Sequence, residues 1–190
     1  MKKILIVFAR KPEIGKVKTR LAKEIGDPDA LKIYLELLDH TISVAQSSNI
    51  EFKVYWSETS NQSNDEVQEG NDLGEKMFNA ICKELKTADS VCLIGTDTPF
   101  ITTHILEEAF NSLETHDLIF GPAKDGGYYL VGSKAFPPKE LFLNRNWSHA
   151  NVLKEALEVA KKAGLKTFLT PQLLDIDTRK DLQEWKQNLN

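Results

Sequence analysis

The chain has little of what marks a secreted, membrane-spanning or nucleic-acid-binding protein. It carries two cysteines in 190 residues. Cys82 and Cys92 lie too far apart in sequence for a metal knuckle, and their apolar neighbours favour buried free thiols over a disulfide framework. That usage fits a reducing compartment. No stretch approaches the ~20 apolar residues of a membrane helix. Lys2 and Lys3 before Ile4-Leu5-Ile6-Val7-Phe8 superficially resemble a signal peptide. The apolar run is short, however, and Arg10, Lys11 and Lys16 follow where small residues would mark cleavage. The expectation is a soluble, cytoplasmic protein. Positive charge is not in excess either, and a formal net charge of -4 argues against a broad nucleic-acid surface. Catalytic signatures are equally sparse. There is no G-x-S-x-G and no Cys–His pairing, and His40, His104, His116 and His149 show no metal spacing.

What is present is an alternation. The length fits one domain over residues 1–190 with a sizeable core, without repeats or linkers. Ile4–Phe8 and Val91–Ile94 are apolar runs of the kind buried on both faces of a sheet, and Phe52–Trp56 reads as a further strand. Asp117–Phe120 and Tyr128–Val131 are two more, with short extended pieces at Lys166–Leu169 and Leu173–Ile176. Between them, Leu31, Tyr34, Leu35, Leu38 and Ile42 recur at helical spacing, as do Met77, Ile81 and Leu85. Ile105, Leu106, Ala109 and Phe110 mark another helix after Thr102, a plausible cap. Val152–Ala163 ends at Gly164, and Asp181–Leu189 is a polar closing helix. Ser57–Asn71 reads as a surface loop, and Ser148 as an N-cap. The pattern predicts an α/β protein, a largely parallel sheet with helices on both faces and room for one antiparallel strand.

Ligands of such sheets gather at the carboxyl ends of the strands, and four polar clusters fall there. Arg10-Lys11-Pro12-Glu13-Ile14-Gly15-Lys16-Val17-Lys18-Thr19-Arg20 sets five cations around one glycine. Fixed positive charge and exposed backbone N–H groups suit a diphosphate, although the first glycine of a P-loop is missing. Gly95-Thr96-Asp97-Thr98-Pro99 offers a carboxylate to Mg²⁺ or Mn²⁺, with a turn cap as the alternative. Gly121-Pro122-Ala123-Lys124-Asp125-Gly126-Gly127-Tyr128-Tyr129 is first a hairpin turn, and also allows close backbone approach beside an aromatic platform. In Asp175-Ile176-Asp177-Thr178 either aspartate could be a second metal ligand. By residue type alone, Asp177 is better read as the cap of the helix beginning near Arg179.

Taken in series, these segments, with Phe8-Ala9-Arg10-Lys11-Pro12 and Asp72-Leu73-Gly74-Glu75-Lys76-Met77, resemble a bacterial family of small nucleotide-diphospho-sugar transferase-like proteins. These are the DUF2064 proteins, some of them assigned to arsenosugar biosynthesis. A more distant likeness runs to phospholactate and molybdenum-cofactor guanylyltransferases. The resemblance implies a GT-A-like, three-layer α/β/α fold. It implies that Ala9, Arg10, Lys11, Gly15, Lys16, Lys18, Arg20, Gly74 and Thr96 meet the nucleotide and its phosphates, and that Asp97 and Asp177 hold Mg²⁺ or Mn²⁺, reversing the cap reading of Asp177. Gly126, Gly127, Tyr128 and Trp147 then fall to the substrate side, and Asp125 and Lys18 to catalysis. Two departures stand out. Thr98 replaces a frequent cysteine, and His149 a usual threonine. Asp97 also lacks the second carboxylate of a D-x-D. The expected activity is glycosyl transfer from a nucleotide diphosphate sugar to a small-molecule acceptor. The alternatives are nucleotidyl transfer from an NTP to a phosphorylated small molecule, and a non-catalytic nucleotide-binding module.

Overall fold

A computed structural model of the chain describes residues 1–58, 66–147 and 149–188. Its central sheet has seven strands: β1 (Lys3–Ala9), β2 (Glu51–Trp56), β3 (Glu66–Val67), β4 (Ser90–Ile94), β5 (Leu118–Pro122), β6 (Tyr128–Ser133) and β7 (Thr167–Leu169). They lie in the order β3-β2-β1-β4-β6-β5-β7. Only β6 runs antiparallel to its neighbours, β4 and β5. The helices are α1 (Thr19–Ile25), α2 (Asp27–Ser47), α3 (Leu73–Glu84), α4 (Thr103–Ser112), α5 (Val152–Lys162) and α6 (Arg179–Gln187).

Alternation along the central strands divides the core. Ile4, Ile6 and Phe8 of β1 join Val91 and Leu93 of β4 on one face, under α3 and α5. Leu5, Val7, Cys92 and Ile94 point to the other face, against α4 and the end of α2. A third cluster joins α1, α2 and α6 through Leu21, Ile33, Leu37, Ile176 and Leu182. Strands clothed on both faces have no use for polar alternation, which is why these runs read as continuously apolar. The connections from β1 travel outward to β2 and β3, and the chain then returns through α3 to β4 on the other side of β1. The strand order therefore reverses between β1 and β4, and their following loops part there to leave a crevice.

Several local expectations hold. Thr102 caps α4 by accepting a hydrogen bond from the Ile105 backbone N–H, and Asp72, to which the sequence reading gives no such role, does the same for α3 from the Glu75 N–H. Gly164 adopts the left-handed φ of 70° just past α5. Others are corrected. The stretch read as one loop from Ser57 carries β3, two residues whose pairing with β2 outweighs their polarity. α1 is a helix that the apolar spacing does not announce, since only Leu21 and Ala22 are buried in it. Leu173–Ile176 is no strand. It makes a single bridge, Leu173 to Ala123, and then runs across the sheet's carboxyl edge, where the Ile176 N–H donates to the Asp97 carbonyl at 2.9 Å. The Ser148 cap, residues 59–65 of the expected loop and Leu189 lie outside the described residues.

One buried charge ties α3 to the sheet. Glu84 is 1% exposed and accepts from both Lys53, at 2.9 and 3.1 Å, and the Tyr55 hydroxyl, at 2.5 Å. Burial, followed by that carboxylate, pushes the Tyr55 phenol far up. Removing one partner of such a network strands the others, though Lys53 is about a third exposed and water can reach it. Glu84→Ala should lower the unfolding free energy by about 2 kcal/mol in urea titration. A loss below about 0.5 kcal/mol would show that the network is not a stabilising tie.

Candidate functional site

The crevice is built first by fixing the end of β1. The Ala9 carbonyl accepts from the Ser57 N–H at 2.9 Å and from the Gln68 side-chain amide at 3.1 Å. The Arg10 backbone is gripped on both sides by the Tyr34 hydroxyl, which accepts from its N–H at 2.8 Å and donates to its carbonyl at 2.7 Å. Burial raises the Tyr34 pKa, while hydrogen bonding to Thr96 and to the Arg10 backbone opposes that shift. The hydroxyl thus links the β1 loop to the β4 loop. Helical spacing marked Tyr34 only as a core residue, and nothing in that spacing announces what its hydroxyl does.

The basic loop then turns at Glu13–Lys16, closed by a backbone hydrogen bond of 3.1 Å, with Gly15 at φ 75°. That is the third position of a turn which needs left-handed backbone, so a glycine belongs there. Lys18 also lies in the left-handed region, at φ 48° and ψ 43°, as the residue before α1. For a non-glycine residue this costs on the order of 1 kcal/mol, and it persists only where the surroundings impose it. Here the surroundings are two carboxylates. The Lys18 side chain is 4% exposed, and its ammonium lies 2.5 Å from Asp97 Oδ1 and 3.5 Å from Asp177 Oδ1. Arg20 approaches Asp177 Oδ2 at 3.7 Å from the open side. Residues far apart in sequence, Lys18, Arg20, Asp97 and Asp177, are therefore one constellation, with Thr96 buried beneath it.

Asp177 does not cap α6. Thr178 does, in a reciprocal box with Asp181, and the Asp177 N–H itself donates to Asp181. A threonine one residue on supplies the cap, which leaves the Asp177 carboxylate free to face Lys18. Nor does Asp97 cap its turn, where the Phe100 N–H is served by the Thr98 hydroxyl at 3.3 Å. Among the described residues no group of three His, Cys, Asp or Glu side chains is arranged to hold a metal ion. The oxygens of Asp97 and Asp177 are nonetheless hard donors of the sort Mg²⁺ and Mn²⁺ prefer, and both already converge on a cation.

Asp175 lies within the electrostatic reach of this constellation, and residue type alone does not separate its role from that of Asp177. Its Oδ1 is buried without a hydrogen-bond partner. Its pKa rises to about 8, chiefly through burial, then through the fields of Asp97 and Asp125; Lys18 opposes the shift and Asp177 adds to it. The same coupling draws Asp125 into this electrostatic group. Asp125 is exposed at the hairpin tip, where its Oδ1 accepts from the Gly127 N–H at 2.8 Å.

The remaining expected residues fall elsewhere. Lys11 and Lys16 converge on Glu13. Gly74 and Tyr128 each meet Trp147 on the α3 face of the core: a Cβ at Gly74 would strike the Phe142 carbonyl and the Trp147 ring, and Tyr128 sits edge-on to Phe120 and Trp147. The Tyr128 hydroxyl and the Trp147 indole N–H are buried without partners. Gly126, at φ 92°, has the Ala150 carbonyl where a side chain would be. Close packing accounts for both glycines, and the tyrosine ring lies against the core instead of forming an open platform.

Asp175 has a measurable consequence. Its carboxyl keeps a proton up to about pH 8 when folded but only to the ordinary carboxylate range when unfolded. Between those values the folded state binds more protons, so stability falls as pH climbs through the window. Asp175→Asn should therefore gain more in Tm over the unsubstituted chain at about pH 8 than at about pH 4. An equal difference at both would mean that Asp175 titrates as an ordinary carboxylate.

Comparison with known proteins fits this fold. Among solved structures, a Desulfovibrio desulfuricans G20 protein, provisionally described as a nucleotide-diphospho-sugar transferase, superposes with a TM-score of 0.92 at 29% identity, over 100% of this chain and 89% of its own. The inositol-1-phosphate CTP transferase of T. maritima shares the fold at a TM-score of 0.63 and 16% identity, over 99% and 94% of the two chains. Rv0371c of Mycobacterium tuberculosis H37Rv, in complex with manganese, does so at 0.56 and 14%, over 97% of each. No curated protein sequence matches. A family profile, described as an uncharacterized protein conserved in bacteria, matches residues 33–149. Since that match spans more than half of the chain, the protein belongs to the DUF2064 family.

Proposed function

We propose that residues 1–190 form one transferase domain that uses a nucleotide diphosphate sugar as donor, with the diphosphate at the loop after β1 and the acceptor approaching past Asp125. The observation that carries this reading is the buried Lys18 ammonium between Asp97 and Asp177, at the point where the strand order reverses. The likeness to the Desulfovibrio protein supports it.

In this reading an acceptor oxygen attacks the anomeric carbon and the bond from that carbon to the diphosphate breaks, so the diphosphate departs with one more negative charge. Lys11, Lys16 and Arg20 orient its oxygens, and Lys18, held from below, faces the charge as it grows. Lys18, fixed in advance by its two carboxylates, meets that charge without reorganising, which is where such sites gain most of their rate. Asp125 takes the acceptor proton on its exposed carboxylate. A divalent cation held by Asp97 and Asp177, with Asp175 beside them, would neutralise the departing diphosphate further. Nucleotidyl transfer is the second reading. The fold shared with the inositol-1-phosphate CTP transferase of T. maritima supports it.

The first test is thermal stability against NTPs, NDPs and NDP-sugars, with and without Mn²⁺ or Mg²⁺, since a ligand bound only by the folded chain raises its Tm. Metal-dependent stabilisation by one NDP-sugar supports glycosyl transfer, a response to NTP alone supports nucleotidyl transfer, and silence across the panel rejects both. Asp97→Asn should then abolish metal-dependent turnover, by at least about 100-fold, while circular dichroism stays unchanged. Full activity in the folded variant would remove Asp97 from the site.

A further inference from the structure

Every cation of the basic loop that has a described ionic partner meets a carboxylate, but the carboxylates are of two kinds. Asp97 and Asp177 come from other elements and build the floor of the crevice. Glu13 comes from the loop itself. Lys11 Nζ lies 3.3 Å from its Oε1, and Lys16 Nζ lies 2.6 Å from its Oε2. Each oxygen of one carboxylate thus receives one ammonium, which is how two oxygens of a phosphate would be received. The turn at Gly15 creates this arrangement by bringing residues 13 and 16 to the same side. Lys16 and then Lys11 hold the Glu13 carboxyl below its ordinary pKa.

We infer that Glu13 is a resident substitute for the ligand's phosphate: it occupies Lys11 and Lys16 in the free protein and is displaced when a diphosphate enters. This rests on the reading of the loop given above, and adds a residue which that reading does not contain. The two lysine side chains are half exposed, at 53% and 59%, so the pairs are weak and exchangeable, as a displaceable contact requires. The pairing offsets two of the loop's five neighbouring cations when no ligand is bound. It also sets a threshold, because an incoming anion must outbid a carboxylate already in position. Glu58 serves as the internal control. It reaches Lys16 only at 4.0 Å and lies outside the turn, so it contributes charge to the neighbourhood without occupying the lysine pair.

The experiment is calorimetric titration of the full chain with inorganic pyrophosphate, with and without Mg²⁺, for the unsubstituted protein, Glu13→Gln and Glu58→Gln. Glu13→Gln should tighten pyrophosphate binding by about three- to tenfold at low ionic strength. The advantage should fall below about twofold near 0.5 M salt, where exposed charges are screened. Glu58→Gln should change affinity by less than about twofold. Equal gains in the two variants would mean a diffuse field and overturn the assignment. So would an unchanged or weaker affinity in Glu13→Gln, and either result leaves the proposed function standing. No pyrophosphate response from any of the three proteins, under either condition, would overturn the assignment and the proposed function together.

Discussion

The site depends on one ammonium kept out of water. Lys18 is bent into left-handed backbone and nearly buried, a costly position for a lysine with nothing to meet it. What meets it is a pair of carboxylates, one from the loop after β4 and one from the segment before α6. Neither arrives by local sequence. The buried lysine and the half-exposed aspartates explain one another: without the carboxylates the charge would be stranded, and without the lysine two like charges would be driven together. Asp175, partly buried beside them, takes what is left of that tension by holding its proton.

Sheet topology makes this convergence possible. The reversal of strand order between β1 and β4 opens the space, and the antiparallel β6 turns the β5–β6 hairpin so that Asp125 stands at the same edge. The strip from Leu173 to Asp177 then lies across that edge, fixed by the bond from the Ile176 N–H to the Asp97 carbonyl. Tyr34 performs the matching task from the helical side, joining the first loop to Thr96.

Much of this is legible in the sequence, for identifiable reasons. Ile4–Phe8 and Val91–Ile94 declare central strands because burial on both faces leaves them no polar positions. Thr102 declares a helix start because an orphaned N–H needs an acceptor nearby. Asp97 declares itself by following a buried strand. What escapes the sequence depends on distant partners. α1 has too few buried residues to set a period, and β3 is held only by its neighbour. Thr178, a cap as suitable as Asp177 by residue type, takes that position through geometry. The apolar spacing that marks Tyr34 as core is silent about its hydroxyl, and composition lists Glu13 as one more exposed acid.

The strip across the sheet edge also bears on how the protein comes into being. Lys18 and Asp177 are separated by 159 positions, among the most distant pairings a chain of this length can make. During synthesis the cationic loop emerges 159 residues before Asp177, and the strands of the sheet assemble in between. Contacts of such separation form late, after the entropy of closing the intervening chain has been met. A ribosome-bound intermediate lacking that strip would carry the loop without the carboxylate that Lys18 meets, so the constellation would close only once the strip is in place.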